Sequence, residues 1–469
     1  MQIVLLKTDV LFFVLLALAG TYVLYARRHE HLVAPWRQVA ERPLGMAAAV
    51  VLTTYLVIAV LDSCHFHPRL ERMQEDAETS YAGEIRSLLD VALTPLRERV
   101  EKTYSAPFAV RAYAKEMIEQ ADGSTRRGYP RLEYAGAHLA DADAERGADI
   151  LRRALAGLAG GAAVWLGAAA LAGLLVARRR RQGFAGVVAG MVRGTLGTPW
   201  RSILLTLGAI LLAGGFCVAL APYYHVLGTD QTGNDVLFQA LKSIRTGLLI
   251  GTLTTLVMLP FAIVLGIAAG YFRGWVDDVI QYLYTTLSSI PGVLLIAAAA
   301  LMLEVYMARN AAAYTSLAAR ADLRLLALCM ILGVTTWTGL CRYLRGEALK
   351  LREVDFIAAA RAFGVPHRVV LLRHIVPNIM HIVMISIVLD FSGLVLAEAA
   401  LTYIDIGVDP SMESWGNMIN SARLELAREP VVWWSLLAAF VFMFTLVLAA
   451  NVFADAVRDA FDPRLREAR

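Results

Sequence analysis

The sequence predicts an all-α, polytopic membrane protein, and three observations carry that reading. Of its 469 residues 58% are hydrophobic and only 18% charged, against about 25% charged residues in a soluble domain. The charges avoid nine apolar runs, each long enough, or nearly so, to cross a hydrocarbon core of about 30 Å. The runs are solidly apolar, whereas strands of an outer-membrane barrel alternate with period two. Soluble, disordered and fibrous classes fall to the first two observations and the barrel to the third.

The runs lie near residues 10–25, 44–61, 155–176, 203–222, 247–271, 279–303, 325–341, 379–401 and 431–452. The first is short, and Ala17-Leu18-Ala19 resembles a cleavage site, so a signal peptide is its alternative reading. Its apolar character nevertheless continues to Tyr25 and stops at Arg27-Arg28, as in a retained span. Orientation follows the Lys/Arg content of short loops. The loop after the first run carries Arg27, Arg28, Arg37 and Arg42. The loop after the third carries Arg178, Arg179, Arg180, Arg181, Arg193 and Arg201 with no acid. The loop after the seventh is also arginine-rich, while that between the eighth and ninth has five acids against Arg423 and Arg428. This alternation places the N-terminus outside and the C-terminus in the cytoplasm. The 178–181 run is then a topology anchor, and no nucleic-acid partner is expected.

Four divisions follow: two spans at 1–61, an external segment at 62–150, a third span with an arginine-rich linker at 151–202, and a six-span part at 203–469. The external segment holds 29 of the 84 formal charges. Apolar residues at helical spacing (Ile85, Leu88, Leu89, Ala92, Leu93, Leu96) predict a small, mostly helical, solvated domain. Cys64, Cys217, Cys329 and Cys341 lie far apart and give no disulfide framework. Cys64-His65-Phe66-His67 carries metal-ligand side chains, but incidental clustering is the commoner origin of such a set, and no metal site is assigned. Residues 228–235 are turn-like and lack the calcium-loop spacing.

The cytoplasmic loop 351–378 is the most informative segment. Asp355 is a candidate N-cap and Gly364 a candidate C′ glycine around a short alanine-rich helix. Pro366 is placed to open a second helix and Pro377 to end it before the eighth span. Phe356, Ala360 and Phe363 share one face by spacing.

This loop resembles the EAA loop of bacterial ABC-importer permeases, of the dipeptide/oligopeptide/nickel type. The resemblance rests on Ala359-Ala360-Arg361-Ala362-Phe363-Gly364 and on Arg373-His374-Ile375-Val376-Pro377-Asn378, with Ala358 where the eponymous glutamate stands. Three further segments agree in order. They are 227–237 with Asn234 replacing an expected arginine, Gly270-Tyr271-Phe272-Arg273-Gly274-Trp275, and the pair 398–407 with Ser414-Trp415-Gly416-Asn417-Met418. The resemblance spans residues 200–469.

It implies the permease subunit of a binding-protein-dependent importer in a bacterial inner membrane, with di- or oligopeptides as the expected cargo. The implied partners are a second permease, two ABC ATPase subunits, a periplasmic substrate-binding protein and membrane lipid. No Gly-Lys dipeptide occurs, so no phosphate-binding loop is present; the chain has no cofactor of its own and ATP is bound by partner subunits. Neither an enzyme nor catalytic residues are expected. The ATPase-coupling residues are Asp355, Ala359, Ala360, Arg361, Ala362 and Gly364. Asp390 and Glu398, eight residues apart in the eighth run, are candidates for the translocation path, because ionisable groups at membrane depth face a pathway or a partner. The alternative function is a membrane-anchored sensor that uses residues 62–150.

Overall fold

The computed structural model of the chain describes residues 2–69, 84–119, 125–310 and 316–461. The N-terminal elements are strand β1 (Gln2–Val4) and helices α1 (Lys7–Ala26), α2 (Glu30–Glu41) and α3 (Pro43–Ser63). Strands β2 (His65–His67) and β3 (Arg86–Ser87), helices α4 (Leu88–Ala92) and α5 (Thr94–Arg97), and strands β4 (Glu116–Glu119) and β5 (Thr125–Gly128) follow. Then come α6 (Ala142–Arg180), α7 (Phe184–Arg193), α8 (Trp200–Leu220), α9 (Val236–Phe272), α10 (Trp275–Ser289) and α11 (Gly292–Arg309). The remainder is α12 (Leu317–Thr336), α13 (Thr338–Arg352), α14 (Asp355–Ala362), α15 (His367–Val370), a π-turn (Leu371–Ile375), α16 (Val376–Tyr403), α17 (Trp415–Glu425) and α18 (Trp434–Phe461).

Among the described residues eight helical stretches are long and apolar enough to cross a membrane: α1, α3, α6, α8, α9, α11, α15 through α16, and α18. The ninth expected run, 325–341, falls in α12 and the start of α13. The first turns of α12 carry Arg320, Asp322 and Arg324, and the helix gives way to α13 at Trp337. The run 279–303 is likewise not one helix. Ile290 is extended, as a residue before proline prefers, and Pro291 caps the new helix α11.

The chain forms two compact units. The first comprises Met1–Val4, Arg37–Thr246 and Glu413–Phe453. Here α6 and α8 run antiparallel in close contact because small residues line their seam. A Cβ on Gly157 would lie 2.5 Å from the Gly215 carbonyl oxygen, and one on Gly161 2.5 Å from that of Leu211. Farther along, Trp165 Nε1 donates to the Leu204 carbonyl at 2.8 Å. In lipid, where apolar burial gives no drive, such backbone approach supplies the packing.

Between α3 and α6 the first unit is less helical than expected. The apolar spacing yields α4, opened by a Ser87–Asp90 capping box, and α5; Pro95 at the start of α5 cannot continue α4. Beyond residue 97 the described chain forms the β4–β5 hairpin and loops. The loops are organised by one buried carboxylate. Glu101 accepts backbone hydrogen bonds from Glu133 (2.9 Å), Tyr134 (3.0 Å) and Ala135 (3.1 Å). The same loops are sewn to the α8–α9 connection. Phe108 N donates to the His225 carbonyl, Gly136 N to Tyr223, Thr229 N to Ser105 and Glu101 N to Gly233. Gly233, at φ +81°, lies so close to the Glu101 backbone that a side chain there would overlap it.

The second unit comprises Leu5–Trp36, Gly247–Met412 and Ala454–Arg469. Its buried cluster joins the second half of α9 to α10, α13, α14, the π-turn and α16 through Ile267, Tyr284, Leu344, Ile357 and Ile375. Helix α1 is fastened to α12 in this unit. Asp322 caps its N-terminus, accepting from Lys7 N at 2.8 Å and also from the Thr8 hydroxyl. Pro377 does not end a helix before α16 but sits in its first turn. A proline ring would clash with the carbonyl four residues back, and the π-turn immediately before it widens the helix there.

Candidate functional site

The loop singled out by sequence is a helical hairpin in the second unit. Helix α14 starts at Asp355, with Val354 as its N-cap residue. Asp355 is therefore not the cap; it lies in the first turn, where its charge favours the helix N-terminus. The helix ends in a Schellman motif. Val365 N donates to the Ala360 carbonyl at 3.1 Å and Gly364 N to that of Arg361 at 3.0 Å, with Gly364 at φ +75°. Pro366 then caps α15.

Spacing placed Phe356, Ala360 and Phe363 on one face, and the structure divides them. Ile357 is fully buried and Ala360 half-buried against the inner cluster, so that ridge faces inward. Phe356 is 47% and Phe363 88% exposed. Asp355, Ala359, Arg361, Ala362 and Gly364 are exposed as well, and an open hollow runs along Ala358, Ala362, Gly364 and His367. The hairpin thus presents small residues and one bare aromatic ring outward.

What holds the hairpin still was only partly visible in the sequence. Tyr271 Oη and His367 Nδ1 are hydrogen-bonded at 2.7 Å. Arg273 pairs with Glu353 at 2.8 Å, so the acid nearest the loop is engaged by the α9–α10 turn. Arg345 grips Asp277 with two bonds of 2.6 Å, and these hold the Asp277 carboxyl below the usual range. Gly266 and Gly270 let α9 touch α13. A Cβ on Gly266 would stand 2.8 Å from the Cys341 carbonyl oxygen, and one on Gly270 2.5 Å from that of Arg345. The Gly-x-x-x-Gly spacing was the available signal.

The two candidate pathway acids differ in setting. Glu398 is 1% exposed and accepts a hydrogen bond from Thr402 Oγ1 at 2.9 Å. Asp390 is half-buried in the middle of α16 and has no ion-pair partner among the described residues. The structure does not join them to each other by any contact.

Two buried ionic clusters in the first unit went unread in the sequence, because their members are far apart in the chain. Lys242 meets Asp90 at 2.8 Å and Asp62 at 3.4 Å. His225 lies between Asp235 (Nδ1 to Oδ2, 2.7 Å) and Glu101 (Nε2 to Oε1, 3.5 Å). The 228–235 turn is self-satisfied: Asp230 Oδ1 accepts from Thr232 N and Asn234 N, and Asp235 Oδ1 accepts from Leu237 N and Phe238 N at the start of α9. Among the described residues no group of three or more His, Cys, Asp or Glu side chains is arranged to hold a metal ion.

Residues 262–467 match the family described as binding-protein-dependent transport system inner membrane component. The oligopeptide transport system permease protein OppC of Mycobacterium tuberculosis H37Rv is 31% identical over 245 residues, 52% of this chain and 78% of that protein. OppC of Haemophilus influenzae is 29% identical over 243 residues, 52% of this chain and 71% of its own. The glutathione transport system permease protein GsiD of Pectobacterium atrosepticum is 29% identical over 244 residues, covering 52% and 73%. With the aligned region carrying the hairpin and the apolar helices that flank it, the chain belongs to the binding-protein-dependent inner-membrane permeases, the transport subunits of ABC importers and not an enzyme family.

Proposed function

We propose that this multi-pass inner-membrane permease forms half of the translocation path of an importer for di- or oligopeptides. A second permease supplies the other half, two ATPases bind ATP inside, and an external protein delivers cargo. The peptide assignment rests on the relatives' names, OppC among them. The N-terminus is periplasmic and the C-terminus cytoplasmic, as the arginine-rich loops favour; α12 and α13 together make the crossing that this orientation needs. Asp390 and Glu398 serve the path, Asp390 as the uncompensated charge and Glu398 as a braced one.

The observation that carries the coupling role is the rigid hairpin with Phe363 bare at its tip. Asp355, Ala359, Ala360, Arg361, Ala362 and Gly364 form the surface that enters an ATPase cleft, and rigidity lets ATP-driven closure reach the spans. Transport is favoured over the sensor alternative by the family itself. Gly364→Val is the test. No atom lies within 4 Å of the position of a new Cβ there, so only the positive φ is opposed, at about 1–2 kcal/mol. The variant should insert and fold, yet recover little ATPase on co-purification or hydrolyse ATP without import. Normal recovery with normal import would remove the hairpin from this role.

A further inference from the structure

We propose that residues 178–201 form a binding site for anionic phospholipid headgroups, in which arginine guanidinium groups grip the phosphodiester. The segment lies outside residues 262–467, the part that matches the permease family. It connects α6 and α8, both long and apolar enough to cross a membrane, so α7 between them lies at the bilayer surface.

The base is a folded platform. Helix α7 buries Val187, Gly190 and Met191 against Ala177, with Leu196 and Trp200 packed beside them. Gly173 admits the Phe184 ring, whose Cε2 would lie 3.0 Å from a Cβ there. Arg181 closes α6 in the left-handed conformation and Gly194 closes α7 in the same way.

On this platform stand Arg178, Arg179, Arg180, Arg181, Arg193 and Arg201, all exposed, with no acid anywhere from 178 to 201. Arg180 donates to the Leu196 carbonyl at 2.8 Å. The side chains of the other five have no hydrogen bond or ion pair among the described residues. Six like charges on a short folded connection repel one another unless an anion is brought in, and none is offered among the described residues. Phe184, 43% exposed, and Val192, 63% exposed, lie on the same ten-residue helix and give it an apolar side for the acyl boundary. Charge, apolar side and depth together fit a lipid headgroup, and not a soluble anion that would leave the apolar side in water. The residue type sharpens this. Lysine would fix topology equally well, but only the planar guanidinium pairs with phosphate through two parallel hydrogen bonds.

The full chain, purified in detergent and stripped of lipid, is titrated with cardiolipin, with phosphatidylcholine and with inorganic phosphate, and bound lipid is counted by native mass spectrometry. Cardiolipin should bind at least about tenfold tighter than phosphatidylcholine, and millimolar phosphate should not displace it. The variant Arg178→Lys/Arg179→Lys/Arg193→Lys keeps the charge, and hence insertion, and should lose about threefold or more in cardiolipin affinity. The matching →Gln variant should lose the preference altogether, while Arg126→Gln/Arg127→Gln on β5 should keep it. Equal affinity for the two lipids, displacement by phosphate, or unchanged binding in the Lys variant would each overturn the proposal.

Discussion

Glu101 and His225 show how single residues fix the external part of the first unit. Burial opposes the charge of His225, but the hydrogen bond to Asp235 and then the Glu101 carboxylate 3.5 Å from Nε2 push the imidazole up to about 9. Burial likewise works against the Glu101 carboxylate, yet His225 and the N–H groups of Glu133, Tyr134 and Ala135 hold it down to about 2. Because the folded state binds the histidine proton more tightly, the stabilisation from His225 is complete below its ordinary value of 6.5 and is lost as pH rises through about 9. That from Glu101 is complete above 4.5 and lost as pH falls towards about 2. Glu425, buried and pushed up to about 7, works in the same direction as His225. The opening component of amide exchange over residues 101–136, taken relative to the intrinsic rate at each pH, should therefore rise between pH 7 and 9. His225→Gln should flatten that rise and cost on the order of 3 kcal/mol at pH 6. A rise that persists in the variant would assign it to other groups. None of this could be read from the sequence, since Glu101 and His225 are joined by folding alone. Gly364, by contrast, was legible, because a helix that ends in a reversal needs a residue tolerant of positive φ. Asp355 misled because the cap is set by backbone angles at Val354, and sequence reports only that an acid stands nearby.

At the scale of elements, hydropathy located the apolar helices but not their breaks. The pieces α10 and α11 look like one run because no charged residue stands between 279 and 303, so the break at Pro291 leaves no mark in the charge pattern. The π-turn before α16 has no local signature beyond Pro377, which also suits an ordinary helix start. The contact between α9 and α13 is where an element-level change should be felt. Gly270→Leu puts a branched side chain against the Arg345 carbonyl and must push α13 away. Overpacking of this kind costs about 1–3 kcal/mol. It should also separate Arg345 from Asp277 and so loosen the hairpin. Expected outcomes are a lower thermal midpoint of the purified permease and faster proteolysis near residue 364. Gly339→Leu, with open space around its position, is the control and should change neither.

For the whole molecule, the family part was legible through short motifs in order, whereas the fold of residues 84–141 was not. That segment holds its shape by contacts with residues more than a hundred positions away, such as Ser105 with Thr229, and periodicity cannot report them. Deletion of 84–141 should remove Glu101 from His225, Ser105 from Thr229 and the Glu101 backbone from Gly233 while leaving the hairpin of the second unit untouched. ATPase recovery on co-purification should stay near wild type, and peptide uptake should fall. If ATPase recovery fell in step with uptake, the segment would be needed for folding of the whole permease.

The cap on α1 carries a consequence for biogenesis. Lys7 and Thr8 lie 315 and 314 residues before the aspartate that receives their N–H groups. At about 5–20 residues per second the ribosome needs on the order of 15–60 s to deliver it. For that interval α1 waits in the bilayer without its cap, so its final seating is among the late events of assembly. In a pulse-chase experiment, a Thr8→Cys/Asp322→Cys pair should cross-link only after the second unit is complete, and Asp322→Ala should leave α1 inserted but open to an external protease.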